Sequence, residues 1–290
     1  MSREPGTDSL SIVIPAKNEA AAIGGLVARA RAEFPNAEVI VVDDGSTDET
    51  AEVAGNAGAV VVKHRESLGN GAAVKNGARA ARGDILALMD GDGQHDPREF
   101  RKLLAKLDEG YGMVVGARDP GSHASFGRLL ANGFYNKLAS RLTGSRILDL
   151  TSGFRVARAK VFKDFLYLLP NGFSYPTTIT MAFMRSGHPV RFETVNVDQR
   201  EGKSHIRPLR DGIRFLLIIF KVATLYAPLK IFLPTSAFFM VTGLGWYGYT
   251  FVSLGRFTNM SALLLSASVI VFLIGLISEQ ITALTYSKSG

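Results

Sequence analysis

Asp90, Asp92 and Gln94 lie two apart in Asp84-Ile-Leu-Ala-Leu-Met-Asp-Gly-Asp-Gly-Gln-His-Asp-Pro97, at the end of an apolar run of strand character. On an extended chain, side chains two apart share a side, so Asp90 and Asp92 would face one point, and Gln94 would join them if the extension persists. Three hard oxygen donors, in a chain with no cysteine to offer sulfur, suit Mg²⁺ or Mn²⁺ better than Zn²⁺. An EF-hand is excluded, because the twelfth position from Asp90 is Arg101 where a bidentate Glu is required, and the sixth is His95 instead of Gly. Asp96-Pro97 reads as an N-cap followed by Pro at the first helical position.

Other polar groups cluster at the ends of apolar runs. Asp43 and Asp44 close the β-branched run Glu38 to Val42, and Ala16-Lys17-Asn18-Glu19 follows the run Leu10 to Pro15. Ser46 and Glu49 have the spacing of a capping box, which predicts a helix starting there. Gly69-Asn70-Gly71 with Gly77 lacks both the dinucleotide fingerprint and a closing Gly-Lys-Ser/Thr. It is either a tight turn opening a helix over a nucleotide edge or a purely structural turn. Arg118 and Arg128 bracket a Gly/Ser-containing loop, and Arg200, Lys203 and Ser204 offer the donors a pyrophosphate needs. The five histidines, His64 among them, stand in no catalytic pattern and are expected to be structural or solvent-facing.

The elements that must position these groups alternate. Strands are expected at Leu10 to Pro15, Glu38 to Val42, Ala59 to Lys63, Ile85 to Met89 and Met113 to Val115, with helices after Glu19, Ser46, Asn70 and Pro97. Such alternation predicts an α/β fold with a doubly wound, mostly parallel sheet. Ligands of these sheets bind beyond the carboxyl ends of the strands, so Asp43, Asp44, Asp90 and Asp92 should share one crevice. From Arg118 the periodicity weakens, with an amphipathic helix expected over Arg128 to Thr143 and a strand over Val190 to Val197.

The 290 residues are 47% apolar, enough for one domain of about 200 residues with some 60 to spare. The polar N-terminus has no signal-peptide core, which places the catalytic part on the cytoplasmic side as an expectation. Of the net charge of +7, much sits in residues 200–230, where seven basic side chains face Glu201 and Asp211. This cluster abuts the most apolar part of the chain, so anionic lipid headgroups, not nucleic acid, are its expected partners. Ile231 to Ser253 and Met260 to Thr282 are each 23 residues long and carry one side-chain charge between them, Glu279. Each can cross an apolar layer of about 30 Å, and together they read as a transmembrane hairpin with both ends on the cytoplasmic side, most simply of a bacterial-type inner membrane. The expected division is a polar tail (1–9), a catalytic domain (10–205), a basic juxtamembrane segment (206–230) and the hairpin with a short tail (231–290).

With these motifs in order, the chain resembles the inverting family-2 glycosyltransferases of GT-A fold, and among them the polyprenyl-phosphate glycosyltransferases typified by dolichyl-phosphate mannose synthase. The resemblance rests on Ile14 to Glu19, Val42 to Asp48, Asp90 to Gln94, Asp149 to Arg155 and Gln199 to Ser204. It implies a nucleotide-sugar donor held by Pro15, Asn18, Glu19, Asp43 and Asp44, with Arg200, Lys203 and Ser204 on the diphosphate. It further implies Mg²⁺ or Mn²⁺ on Asp90, Asp92 and Gln94, a polyprenyl phosphate acceptor on Arg118 and Arg128, and Asp149, Ser152 and Arg155 in support. Lys17 departs from the Tyr often found there. The resemblance leaves homo-oligomerisation open. The alternatives are a processive polysaccharide synthase, for which two spans and the absence of an Arg-Trp pair are a poor fit, and a non-catalytic nucleotide-sugar binder.

Overall fold

The computed structural model describes residues 9–118, 133, 136–137, 140–141, 146–172, 174–196, 220, 224 and 226–287. Arg128, Arg200, Lys203 and Ser204 lie outside the described residues, as do the loop after Arg118 and most of the basic segment. The chain divides into two compact units, Met1–Ile206 and Arg207–Gly290.

Among the described residues the first unit is built on seven strands: β1 (Leu10–Ala16), β2 (Glu38–Asp43), β3 (Val60–Lys63), β4 (Ile85–Leu88), β5 (Met113–Arg118), β6 (Arg155–Arg158) and β7 (Val190–Val195), in the order β3-β2-β1-β4-β6-β5-β7. All pairings are parallel except those of β6, which runs antiparallel to both β4 and β5. Strands β1, β2 and β4 are apolar on both faces because helices cover both. On one face, Ile12, Ile14, Val39 and Val41 pack with Ile23, Leu26 and Val27 of α1 (Ala20–Glu33) and with Phe100, Leu103 and Leu107 of α4 (Phe100–Asp108). On the other face lies α3 (Asn70–Ala80), where a Cβ on Gly77 would stand 2.3 Å from Val13 Cγ1. The glycine lets the helix backbone rest directly on the Val13 and Val42 side chains of the sheet.

Two local expectations fail for tertiary reasons. Helix α2 (Thr50–Asn56) begins four residues after Ser46, and no capping box forms. Ser46 Oγ instead accepts the Asn18 backbone N–H at 2.9 Å, while Asp48 Oδ1 accepts that of Thr50 at 3.1 Å. An orphan N–H on the neighbouring loop outcompetes the local one. The strand also does not persist from Asp90 to Gln94. The chain turns at Gly91 and Asp92, Gly93 has φ +74°, and Asp92 Oδ1 accepts the Gln94 backbone N–H at 3.2 Å. A short Asx turn therefore replaces the shared face of an extended strand. Asp96 does cap the following turn, accepting from Arg98 N with Pro97 behind it.

Further along this unit lie α5 (Ala159–Asp164) and α6 (Tyr175–Arg185). The second unit contains α7 (Leu229–Leu254) and α8 (Asn259–Ser287), joined by a turn at Gly255 with φ +63°. The helices are clasped by reciprocal bonds of 2.9 Å, Ser236 Oγ to Ser268 O and Ser268 Oγ to Ser236 O. Gly275 meets Phe232, whose Cβ would be 2.7 Å from an added methyl. Both helices are long and apolar enough to cross a membrane, and only 11% and 17% of their most apolar stretches are buried. Core helices of a soluble domain would be mostly covered.

Candidate active site

The carboxyl ends of the parallel strands are laced together by backbone bonds: Asp44 N to Ala16 O at 2.9 Å, His64 N to Asp43 O at 2.9 Å and Gly91 N to Pro15 O at 3.2 Å. Pro15, Asp43, Asp44 and Asp90 therefore gather at one edge of the sheet. The loop after β1 is stitched to the loop after β2. Asn18 adopts φ 56°, a left-handed conformation Asn tolerates, and its Oδ1 accepts from Thr47 N at 2.8 Å. Glu19 N donates to Thr50 Oγ1 at 2.9 Å and Ala20 N to Asp48 Oδ2 at 3.2 Å. Asp43 Oδ1 accepts from Ser46 N, and its Oδ2 is buried without a partner among the described residues.

Asp44 is 4% exposed, and both of its oxygens are taken. Oδ1 receives His64 Nδ1 and Leu68 N, each at 2.8 Å, and Oδ2 receives Ser67 Oγ at 2.8 Å and Gly69 N at 2.9 Å. Desolvation opposes its ionisation, but the hydrogen bonds, led by that of His64, outweigh it and hold the carboxyl below its ordinary value. The glycines that follow are explained by close packing. A Cβ on Gly69 would be 2.4 Å from Asn171 O and one on Gly71 2.1 Å from Pro170 O, and Asn171 O accepts from Ala72 N at 3.1 Å. Of the two readings open for this turn, the structure supplies a packing reason for the structural one.

Asp90 is held in the opposite way. Among the described residues its one hydrogen bond is from Asn70 Nδ2, at 3.5 Å. Desolvation, then the neighbouring Asp92, pushes its carboxyl up. Because β6 runs antiparallel to β4, the segment entering β6 passes beside the end of β4. Gly153 lies there against the carboxylate, and a Cβ on it would come 2.8 Å from Asp90 Oδ2. Phe154 stacks between His95 (4.6 Å) and Phe100 (4.2 Å), clamping the turn after Asp92 onto this segment. Among the described residues no three His, Cys, Asp or Glu side chains group as a metal cage. The site offers two carboxylates, one nearly bare of donors. That fits Mg²⁺ or Mn²⁺, which bind through one or two carboxylates and complete their shells with water and substrate phosphate oxygens.

Cationic side chains back the acids. Arg118, at the end of β5, makes a two-pronged bond to Asp149, Nε to Oδ2 at 2.8 Å and Nη2 to Oδ1 at 3.2 Å, and Nη2 also reaches Thr151 Oγ1 at 2.8 Å. Its side chain remains 42% exposed, so the fork is oriented without being hidden. Burial works against the charge of Asp149, yet the arginine outweighs it and its carboxyl is lowered. Arg155 is fully buried. It donates from Nη1 to Pro176 O and Thr180 Oγ1, each at 3.1 Å, and from Nη2 to Ser152 O, with its guanidinium 5.8 Å from the centre of the Tyr175 ring. Burial lowers its pKa, partly offset by Tyr175, Asp149 and Asp90. Ser152 thus serves through its carbonyl, and its hydroxyl accepts from Phe154 N at 3.2 Å. Sequence reasoning singled out the segments that hold Asn70 and Gly153 without giving either residue a role beside Asp90, and it missed Tyr175, since nothing in the local pattern points to partners so distant in the chain.

Two family models match this chain: that of glycosyl transferase family 2 over residues 11–166, and that of the GtrB C-terminal hairpin over residues 227–284. Glycosyltransferase AglJ of Haloferax volcanii is 31% identical over 83% of this chain and 80% of its own length. The polyprenol monophosphomannose synthase of Mycolicibacterium smegmatis is 30% identical over 67% and 79%. The dodecaprenyl-phosphate galacturonate synthase of Rhizobium johnstonii is 33% identical over 53% of this chain and 49% of its own length, so the match spans about half of that relative. In fold, the chain is similar to the glucosyl-3-phosphoglycerate synthase of Mycobacterium tuberculosis, solved with Mn²⁺, UDP and phosphoglyceric acid, with a TM-score of 0.59 and 23% identity over 75% of this chain and 79% of that one.

Proposed function

The chain belongs to glycosyl transferase family 2, and from that premise we propose that it transfers one sugar from a UDP- or GDP-linked donor to a polyprenyl phosphate, undecaprenyl or dolichyl, with inversion at the anomeric carbon. The observation that carries the reading is the pairing of a nearly bare Asp90 at the strand ends with an apolar two-helix hairpin on the same chain. Relatives named for polyprenyl-linked mannose and galacturonate synthesis support it.

In this mechanism Pro15, Asn18, Glu19, Asp43 and Asp44 form the nucleoside end of the donor site, and Asp90 and Asp92 would hold Mg²⁺ or Mn²⁺, while Gln94, carried off the strand by the turn at Gly93, keeps only the role that the resemblance implies. A divalent cation there supplies charge neutralisation for the departing nucleoside diphosphate. Arg200, Lys203 and Ser204 are assigned to the same diphosphate. Arg118, preset by Asp149, and Arg128 orient the acceptor phosphate. One phosphate oxygen attacks the anomeric carbon as the bond to the diphosphate breaks, so a single displacement inverts that centre. A phosphate monoester with a second pKa near 6 is already anionic at pH 7, so no strong base is required. Asp149, Ser152 and Arg155 keep the arginine fork and the floor beneath Asp90 in place, so that catalysis is chiefly positioning.

The hairpin is assigned as a pair of membrane spans, with the catalytic unit on the cytoplasmic face. The test is incubation of the purified full chain with labelled UDP- and GDP-sugars, Mn²⁺ and undecaprenyl phosphate. The expected product is lipid-linked sugar with release of the nucleoside diphosphate. Donor binding without any lipid product would overturn the reading, as would labelling of a tag after Gly290 from outside intact cells for the assigned face.

A further inference from the structure

His64, the first residue after β3, is 7% exposed and held at both ring nitrogens. Nδ1 lies 2.8 Å from Asp44 Oδ1, and Nε2 lies 2.8 Å from the Asn76 side-chain amide on α3. The next link decides the tautomer. Arg79, exposed one turn along α3, donates from Nη1 to Asn76 Oδ1 at 2.8 Å. An arginine is a donor without an acceptor, so it fixes which end of the amide is oxygen and turns Asn76 Nδ2 toward the imidazole. Nε2 must then accept, and Nδ1 carries the hydrogen given to Asp44. The chain Arg79, Asn76, His64, Asp44 runs in one direction with every donor and acceptor matched.

Beyond Asp44 the chain divides. Leu68 N, Gly69 N and Ser67 Oγ all rest on the same carboxylate, so the turn from Ser67 to Gly69 hangs from it. That turn also packs on the loop after β2, where a Cβ on Gly45, at φ +68°, would lie 2.7 Å from the Glu66 and Ser67 backbone. It continues into Asn70, the residue that reaches Asp90. One imidazole thus stands behind both the Asp44 end and the Asp90 end of the site.

We propose that His64 is a positioning residue of the donor site: in its Nδ1–H tautomer, set by Asn76 and Arg79, it holds the Asp44 carboxylate and the Ser67–Gly69 turn where the nucleotide-sugar needs them. This rests on the assignment of the strand-end crevice to a nucleotide-sugar. His64 touches neither donor nor acceptor, and its effect appears in donor binding, not in the chemical step. Asn carries an amide N–H where the imidazole carries Nδ1–H, whereas Leu fills the space and donates nothing.

The experiment uses the full chain in detergent with Mn²⁺. His64→Leu is expected to raise the KM for the nucleotide-sugar about tenfold with kcat within about twofold, and His64→Asn to recover most of that loss. Nitrogen-15 spectra of histidine-labelled protein, with the His64 signal identified by its absence from His64→Asn, are expected to show a protonated Nδ1 and an unprotonated Nε2. In Asn76→Leu that pattern is expected to give way to a mixture of tautomers, with a smaller rise in KM, about threefold. Should His64→Leu not fold, the spectra and Asn76→Leu decide the matter. Wild-type KM in both His64→Leu and Asn76→Leu overturns the proposal, as does a His64 protonated at Nε2 in the wild type. A wild-type chain that binds none of the UDP- or GDP-sugars instead overturns the functional assignment on which the proposal rests, and the proposal with it.

Discussion

Asp44 and Asp90 follow β2 and β4, the strands on either side of β1, and they are the same residue type at equivalent ends of neighbouring parallel strands. Their surroundings are opposite. Asp44 receives four hydrogen bonds, and its charge is matched by the fold itself. Among the described residues Asp90 receives one long hydrogen bond, from Asn70, with Asp92 two residues away and Arg155 buried nearby. Four hydrogen bonds fix the Asp44 carboxylate in one place, whereas the Asp90 carboxylate is desolvated and short of hydrogen-bond donors, the environment that the proposed cation site needs. The same contrast separates the arginines: Arg118 is forked onto Asp149 yet open to solvent, while Arg155 is sealed beneath the site.

Substitution breaks this contrast most sharply at the Asp90 side. Asp92→Ala, and independently Asp90→Asn, should lower sugar transfer by at least about a thousandfold, measured as lipid-linked product from labelled donor. Metal-free Asp90→Asn should melt at the same temperature as the wild type or higher, because it removes a carboxylate whose charge burial and Asp92 oppose more than Asn70, Arg155 and Arg118 favour it. A transfer rate unchanged in excess EDTA would count against a metal on these residues.

At the Asp44 side the order of effects reverses, with stability suffering directly. Asp44→Asn should cost about 3 kcal/mol, seen as a melting temperature lower by about 6–10 °C. The pH dependence sharpens the point. The folded Asp44 carboxyl titrates below its ordinary 3.8, so its stabilisation is complete above that pH and is lost as pH falls through the lower folded value. The gap in melting temperature between wild type and Asp44→Asn should therefore be flat from pH 7 to about pH 5 and close below about pH 4.

The smallest effect is expected at the solvent-open fork. Arg118→Lys keeps the charge but loses the planar two-pronged bond to Asp149, and should reduce kcat/KM for polyprenyl phosphate about tenfold while leaving donor KM within about twofold. A matching loss of donor binding would move Arg118 to the diphosphate.

Much of the architecture was legible in the residues. Nearly unbroken apolar runs such as Val39 to Val42 report a strand covered on both faces, and runs that alternate with helical stretches report a parallel sheet whose carboxyl ends gather Asp43, Asp44 and Asp90. The two 23-residue apolar runs likewise announce the hairpin, because length and composition suffice for a membrane span. These properties belong to segments and are read along the chain.

Tertiary structure decided everything that depends on a partner far away in sequence. Ser46 has the spacing of a helix cap, yet it serves Asn18, 28 residues earlier, because an orphan N–H on the adjoining loop is the nearer partner in space. Asp44 and Asp90 are indistinguishable as strand-end aspartates until the Ser67–Gly69 turn and His64 close on one while Gly153 opens room beside the other. The antiparallel entry of β6 is what brings Gly153 and Arg155 to β4, and no local pattern encodes it. The positions of the carboxylates are written in the sequence, but whether a carboxylate is saturated or left open is settled only when non-local backbone and side chains arrive to donate hydrogen bonds to it.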